Sequence, residues 1–556
     1  MIKSGSNIHS GAYFGVLVLL VISIPLSKFM MSISEFMLLF LWLWSGFSFR
    51  ISSRFFKYRG IFKGSLHFLK YFFELAYSNI IEKFGLFFKN KAAVIFSLIY
   101  LIHIIGTLYS SDSNYVLKDL RIKLPLILFP VVFAGMEKIN YKKFRVLMLF
   151  YVAAILAGTL ISFWLFLQKN FIDIREISPF ISSIRFSLNL SFGFFILLYF
   201  IIADKKFSVP VKLIFTLVAI WFFVFIILLE SVTGFTIILF ISLGFMLWHI
   251  FRSRRILFKV LMLLIVILIP AGIVFKVIHI VDKATMKPEI NFENLAKYTS
   301  RGNIYTHDTI NHGVEDGRLV GLYLCDNEMR IAWNERSDIN FDYDEDLNYS
   351  IKEGLIRYLT SMDLPKDYDG IYSLSDWDIQ MIENDCANVN YVKNPGFKTR
   401  ILKIIKGYEV YNLTGNPSGS SVMQRIEYLK GSLAVIKENW LTGVGTGDLE
   451  SSLYDKYDEM GTQLKDEYRY HAHNQYFAIL ISFGIFGFLI FIYALIYSPI
   501  LTNSFSDYFF IVFFLIMTIS MFSDDTLETQ AGVTLFAFFY TFLMFGKTNS
   551  NAYFSK

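Results

Sequence analysis

Cysteine is nearly absent from this sequence: only Cys325 and Cys386 occur in 556 residues, which excludes a disulfide-stapled scaffold and a cysteine-rich metal site. For that pair, one disulfide and two reduced thiols both stay open. No small-residue cleavage site follows the first apolar stretch, Tyr13 to Pro25, before the next begins at Met31, so the stretch is expected to remain as an anchor. Basic residues interleaved with aromatics in a patch are missing too, which argues against a nucleic-acid partner despite a net charge of +6. Charged residues are sparse inside the apolar runs and no internal repeat is evident; both absences weigh against a transporter.

Apolar bulk takes the place of these features. Of the residues, 55% are hydrophobic and 18% aromatic, and mean hydropathy is +0.49, so the solvent for most of the chain is a bilayer. Runs long enough to cross about 30 Å of hydrocarbon predict about twelve helices. They lie near 11–27, 30–48, 92–109, 124–136, 146–168, 186–203, 213–229, 235–251, 257–278, 474–497, 508–523 and 529–546, the fourth short and bounded by Pro125 and Pro130. Lysine and arginine then set the orientation. The connection 49–91, and the later loops with Lys138, Lys142 and Lys143, with Lys205 and Lys206, and with Arg252, Arg254 and Arg255, all fall on one side. By the positive-inside bias that side is cytoplasmic, with both termini. Segment 49–91 mixes Phe, Tyr and Leu with Lys and Arg, as an amphipathic helix on the anionic inner leaflet would.

The expected division is therefore membrane helices over 1–278, one large, mostly helical extracytoplasmic loop over 279–473, and membrane helices over 474–556. The loop has Trp333, Trp377 and many tyrosines to build a small core, and 351–361 reads as a helix within it. Beyond Gly415, Val422 to Asn439 reads as an amphipathic helix, followed by Trp440 and the turn-forming Gly443-Val444-Gly445-Thr446-Gly447. Tyr468-Arg469-Tyr470-His471-Ala472-His473-Asn474 then stands at the mouth of the tenth span.

Four cations at helix mouths on the outer face run against the positive-inside bias: Lys123, Arg185, Arg301 and Arg425. Arginine stays charged and grips phosphate oxygens in pairs, so a cluster at this depth suits a diphosphate whose lipid remains in the bilayer. Snorkelling to headgroups or a salt bridge explains each equally well, and better for Arg301. His471 and His473 offer an imidazole able to take a proton from a sugar hydroxyl. With a lipid diphosphate as leaving group, departure needs charge neutralisation more than a proton, so no paired-carboxylate acid and base is required. The competing readings for the pair are a helix cap and a metal site, though no cysteine cluster or third histidine lies nearby. Glu230, Asp524 and Asp525, in short outer loops, either orient such a group or face water.

The stretch from Arg425 to Leu495 resembles the O-antigen ligase and polymerase superfamily. The resemblance rests on Arg425-Ile426-Glu427-Tyr428, on Trp440-Leu441-Thr442-Gly443-Val444-Gly445-Thr446-Gly447-Asp448, on His471-Ala472-His473-Asn474-Gln475-Tyr476 and on Gly484-Ile485-Phe486-Gly487. It implies an all-α, GT-C-like membrane transferase that moves glycan from undecaprenyl diphosphate to an acceptor hydroxyl without metal, cofactor or nucleotide sugar. It further implies His473 as the base with His471 beside it, and Arg425 and Arg185 on the donor diphosphate. One departure is plain: where relatives carry Ser-Arg followed by Thr or Gly and then Gly, this chain has Ser231-Val232-Thr233-Gly234. The expected activity is an O-antigen ligase of the bacterial inner membrane, joining a lipid-carried polysaccharide to lipid A core on the periplasmic side. A polymerase and a protein O-oligosaccharyltransferase use the same donor, and a lipid-linked glycan flippase or a non-catalytic scaffold are readings of a different class.

Overall fold

Polar residues cut the apolar sequence into helices by capping their ends. Ser27, Asn90, Asn474, Asp507 and Thr529 each accept a backbone N–H of the helix that follows, where an apolar run alone would give no boundary. The computed structural model describes residues 3–45, 64–168, 171, 174–310, 312–342 and 351–548. The first part holds α1 (Lys3–Leu26), α2 (Lys28–Trp44), α3 (Gly64–Lys89), α4 (Lys91–Gly106), α5 (Ser113–Lys123), α6 (Pro125–Gly135) and α7 (Tyr141–Gln168), then α8 (Ser183–Ile202), α9 (Val209–Leu228), α10 (Val232–Arg252) and α11 (Ile256–Thr285). A polar insertion follows with α12 (Asp326–Asn334), α13 (Lys352–Ser361), α14 (Tyr368–Tyr372), α15 (Asp376–Glu383), α16 (Asn390–Lys393), α17 (Phe397–Thr414), α18 (Ser421–Glu438) and α19 (Leu449–Glu459). The chain ends on α20 (Gln475–Leu501), α21 (Tyr508–Ser520) and α22 (Gln530–Thr541).

The protein is an all-α polytopic membrane protein, with 8 helices among the described residues long and apolar enough to cross a bilayer. These are α1, α4, α7, α8, α9, α10, α11 and α20. The other expected spans also fall on helices, but on shorter ones: α2 has 17 residues, α6 has 11, α21 has 13 and α22 has 12. Shortness is tolerable for α22 because protein surrounds it, every residue from Ala531 to Thr541 being buried. Phe538 stacks on Phe542 and meets Phe129 of α6 edge-on. The amphipathic reading of 49–91 is described only from Gly64 onward, and residues 49–63 lie outside the described residues. There, α3 ties itself to the end of α2, since Asn79 donates to Leu43 O and Ser45 O, and Lys83 to Trp42 O and Leu43 O. Those carbonyls would otherwise be orphaned at a helix end.

The polar insertion follows helix α11, which continues to Thr285. It has its own core around Trp333, Leu355, Ile356, Tyr358 and Leu359, all at 0% exposure, and α13 matches the helix expected at 351–361. A two-stranded hairpin, Val314–Glu315 with Arg318–Leu319, turns on Asp316-Gly317, both at positive φ as a tight hairpin requires. Cys325 and Cys386 are buried free thiols, so of the two readings for that pair the reduced one holds. Glu230 does not face water: it is buried, pairs with Lys403 at 3.2 Å and accepts Gly396 N, fastening the insertion to the membrane helices.

Candidate active site

The glycine-rich turn acts as a splint. Helix α20 breaks at Gly484 (φ 57°, ψ −162°), which frees backbone groups inside the bundle. The turn meets them: Val444 N donates to Ile481 O, Gly445 N to Ser482 O, and Ile485 N to Trp440 O, each at 2.8 Å. A Cβ on Gly443 or Gly484 would sit 2.4 Å from backbone atoms of the opposite segment, so both positions require glycine. The turn is thus structural, as its reading as a turn anticipates, and its N–H groups are engaged by protein.

The segment between this turn and α20 is held by tyrosine hydroxyls. Tyr428 donates to Tyr468 O (2.6 Å), Tyr454 to Arg469 O (2.8 Å) and Tyr457 to Tyr470 O (3.2 Å). His473 follows with φ +44°, a left-handed conformation that costs a non-glycine residue about 1–2 kcal/mol and so is imposed by its surroundings. The next two residues impose it. Asn474 caps α20 and donates to Phe522 O at 3.0 Å. Gln475 donates its backbone N–H to Met521 O, accepts Leu527 N at 2.7 Å and donates to Glu528 at 3.0 Å. The His-Asn-Gln triplet therefore clasps the loop between α21 and α22, and that loop carries Asp524 and Asp525.

Both aspartates are buried, at 0% and 5% exposure, which corrects the expectation that such residues face water. His473 Nδ1 stands 3.7 Å from Asp524 Oδ1 and 3.8 Å from Asp525 Oδ1. Arg185, opening α8, pairs with Asp524 at 3.0 Å and donates to Asp525 O at 3.2 Å. Burial opposes ionisation of Asp524, but Arg185, His473 and Arg425 outweigh it and hold its carboxyl below the usual range. Asp525 moves the other way, raised by burial and then by its neighbour Asp524. Two adjacent carboxyls pushed in opposite directions are a signature of functional sites.

Tyr428 stacks on His473, ring centroids 5.1 Å apart at 28°. Arg425, three residues earlier on the same face of α18, has no hydrogen-bond or ion-pair partner among the described residues. Its pKa is lowered, chiefly by burial, while Asp524 and Asp525 pull upward and Arg175 pushes down. Arg425 and His473 are thus brought together. Arg185 joins them from behind the carboxylates, already engaged with them.

Lys123 is placed elsewhere. It is 2% exposed and bridges Asp119 and Glu528, the latter at 2.7 Å, with His103 on the far side of Asp119 at 3.1 Å. This buried ion cluster lies behind Gln475, which shares Glu528. Arg301 lies over the ring of Tyr368 in the insertion and has no contact with the histidine cluster among the described residues. His471 sits 6.4 Å from the Tyr115 ring, its Nδ1 buried without a hydrogen-bond partner among the described residues.

Arg175 is absent from the residues the sequence singles out, and the burial of Asp524 and Asp525 is not legible there. The carboxylates are legible only once the loop is known to be clasped by Gln475. Arg175, on the turn Ile174–Ile177, reaches Arg425 from a connection with no distinguishing pattern. The segment Ser231–Gly234 borders the site, since Thr233 Oγ1 lies 3.2 Å from Ser523 Oγ. His473, Asp524 and Asp525 also bring one ligand atom each within 4.8 Å of one another, a spacing that suits a metal ion, though Arg185 already shares Asp524.

A family model described as O-antigen ligase matches residues 391–492, which take in α17, α18, the glycine-rich turn, His473 and most of α20. No curated protein matches the chain.

Proposed function

With residues 391–492 matching the O-antigen ligase family, whose function is of the ligase and polymerase type, we propose that this chain is a membrane glycosyltransferase. It transfers a polysaccharide from undecaprenyl diphosphate to an acceptor hydroxyl on lipid A core, on the periplasmic face of the inner membrane. The observation carrying this reading is an Arg425 without a hydrogen-bond or ion-pair partner among the described residues, beside a histidine whose Nδ1 faces two buried carboxylates. With Nδ1 turned to Asp524 and Asp525, Nε2 is the nitrogen left for substrate. The acceptor oxygen attacks the anomeric carbon, its proton passes to His473 Nε2, and the bond from that carbon to the diphosphate oxygen breaks. The electron pair leaves with undecaprenyl diphosphate, whose developing charge Arg425 neutralises. Asp524 and Asp525 stabilise the imidazolium formed, and Arg185 keeps Asp524 ionised beside it.

Arg425→Ala is expected to raise the donor KM by about tenfold to a hundredfold, the range for a lost hydrogen bond to a charged group of about 1.5–3 kcal/mol. Acceptor KM stays constant. An unchanged donor KM, measured with purified lipid-linked glycan, removes Arg425 from the diphosphate site.

The guanidinium on Asp524 makes a metal unnecessary in this scheme. Transfer is accordingly expected to survive dialysis against EDTA. Loss of activity restored by one divalent ion would assign His473, Asp524 and Asp525 as its ligands instead.

A further inference from the structure

The insertion contains a cavity of about 540 Å³, within the roughly 300–1,000 Å³ of small-ligand sites, and neither the transfer chemistry nor the clasp uses it. Three tyrosines line it. Tyr305 and Tyr323 form an aromatic corner, centroids 5.5 Å apart at 82°, and Tyr298 is 62% exposed at the rim. Lys366 lines it too, only 4% exposed and without a hydrogen-bond or ion-pair partner among the described residues. Backbone pairing fixes its place: Lys366 N donates to Tyr323 O and Cys325 N to Lys366 O. Tyr323 is at φ +56° and Asp363 at φ +63°, so two non-glycine lining residues are held in the left-handed region. Arg318 adds a second cation, paired at 3.1 Å with an Asp363 that is largely exposed.

A buried ammonium left unpaired destabilises a fold unless something else needs it. Its pKa is lowered to about 8, first by burial, so it still carries charge at neutral pH. Tyrosine faces around a cation accept the apolar face of a sugar ring, and the cation pairs with an anionic substituent on that ring. We propose that this cavity is a subsite for an anionic saccharide unit, a sugar bearing a carboxylate or a phosphate, held by Lys366 against Tyr298, Tyr305 and Tyr323. Only the choice of a glycan as ligand rests on the transferase reading.

Full-length protein in lipid nanodiscs, titrated calorimetrically, provides the test. Trigalacturonate or glucose 1-phosphate is expected to bind, and which of the two does so identifies the charge. Maltotriose should bind at least about tenfold more weakly, as the loss of one charge-assisted contact requires. Lys366→Met should weaken the anionic probe by about tenfold or more, and Tyr298→Ala, at an exposed position, by about threefold. Equal binding of maltotriose, binding of inorganic phosphate alone, or affinity unaltered in both variants overturns the proposal. His473→Ala separates this site from the transfer reading: it should bind the anionic saccharide as the unaltered protein does. A variant that still transfers glycan would refute the base while leaving the cavity intact.

Discussion

His473→Ala is expected to reduce glycan transfer by about a thousandfold or more, with the protein still inserting in the membrane and unfolding at nearly the unaltered temperature. The size follows from the roughly 10²–10⁴ that a positioned general base contributes, taken with the loss of the imidazolium that the proposed mechanism forms beside Asp524 and Asp525. The stability expectation follows from geometry. The imidazole is half-buried, makes no hydrogen bond through Nδ1, and sits on a backbone at φ +44° that is held by Asn474 and Gln475. Alanine removes the ring without orphaning a partner, since Asp524 keeps Arg185. In vitro transfer with lipid-linked donor and core acceptor is the measurement, with thermal unfolding as the control. A variant within tenfold of unaltered activity is incompatible with His473 as base. His471→Ala gives the contrast: its ring lies by Tyr115 and, among the described residues, it makes no hydrogen bond or ion pair to Asp524 or Asp525, so the loss should be smaller.

The parts of the site that were readable in advance were those encoded locally. Apolar runs located the helices because a bilayer demands a minimum apolar length, and the motif ending in His473-Asn474 sits where its position before α20 put it. Asp524 and Asp525 were not readable as buried, because nothing local distinguishes a short acidic loop in water from one clasped by a glutamine 52 residues away. Lys123 depends on the same non-local pairing. At a helix mouth it looks free for a phosphate, yet its partner Glu528 is 405 residues distant, and that pairing exists only after α5 and α22 meet. The broken α20 was equally hidden. Glycine at 484 signals freedom, but only the facing turn shows that the freedom is used to admit Trp440 and Leu441 against its backbone.

Arg185 carries the second large expectation, and it concerns folding more than donor binding. Arg185→Met is expected to lower the stability of the protein by about 3–5 kcal/mol, the cost of leaving one charge of a buried pair without its partner. The stranded charge is Asp524, at 0% exposure, with Asp525 beside it at 5%. Removing the charge as well should recover most of that loss, so the double variant Arg185→Met with Asp524→Asn should unfold near the unaltered protein. A pH series sharpens the comparison. Asp524 titrates below the usual carboxylate range in the folded protein, so its contribution is present above the ordinary aspartate pKa and fades as pH falls through the depressed folded value. In Arg185→Met the strongest attraction on the Asp524 carboxylate is gone, burial dominates, and the folded pKa rises, so acid should then stabilise the variant relative to neutral pH. Thermal unfolding in detergent at neutral and mildly acidic pH measures both effects. If Arg185→Met unfolds normally and only its donor KM rises, the guanidinium belongs to the diphosphate site after all, and the carboxylates are held by something other than α8.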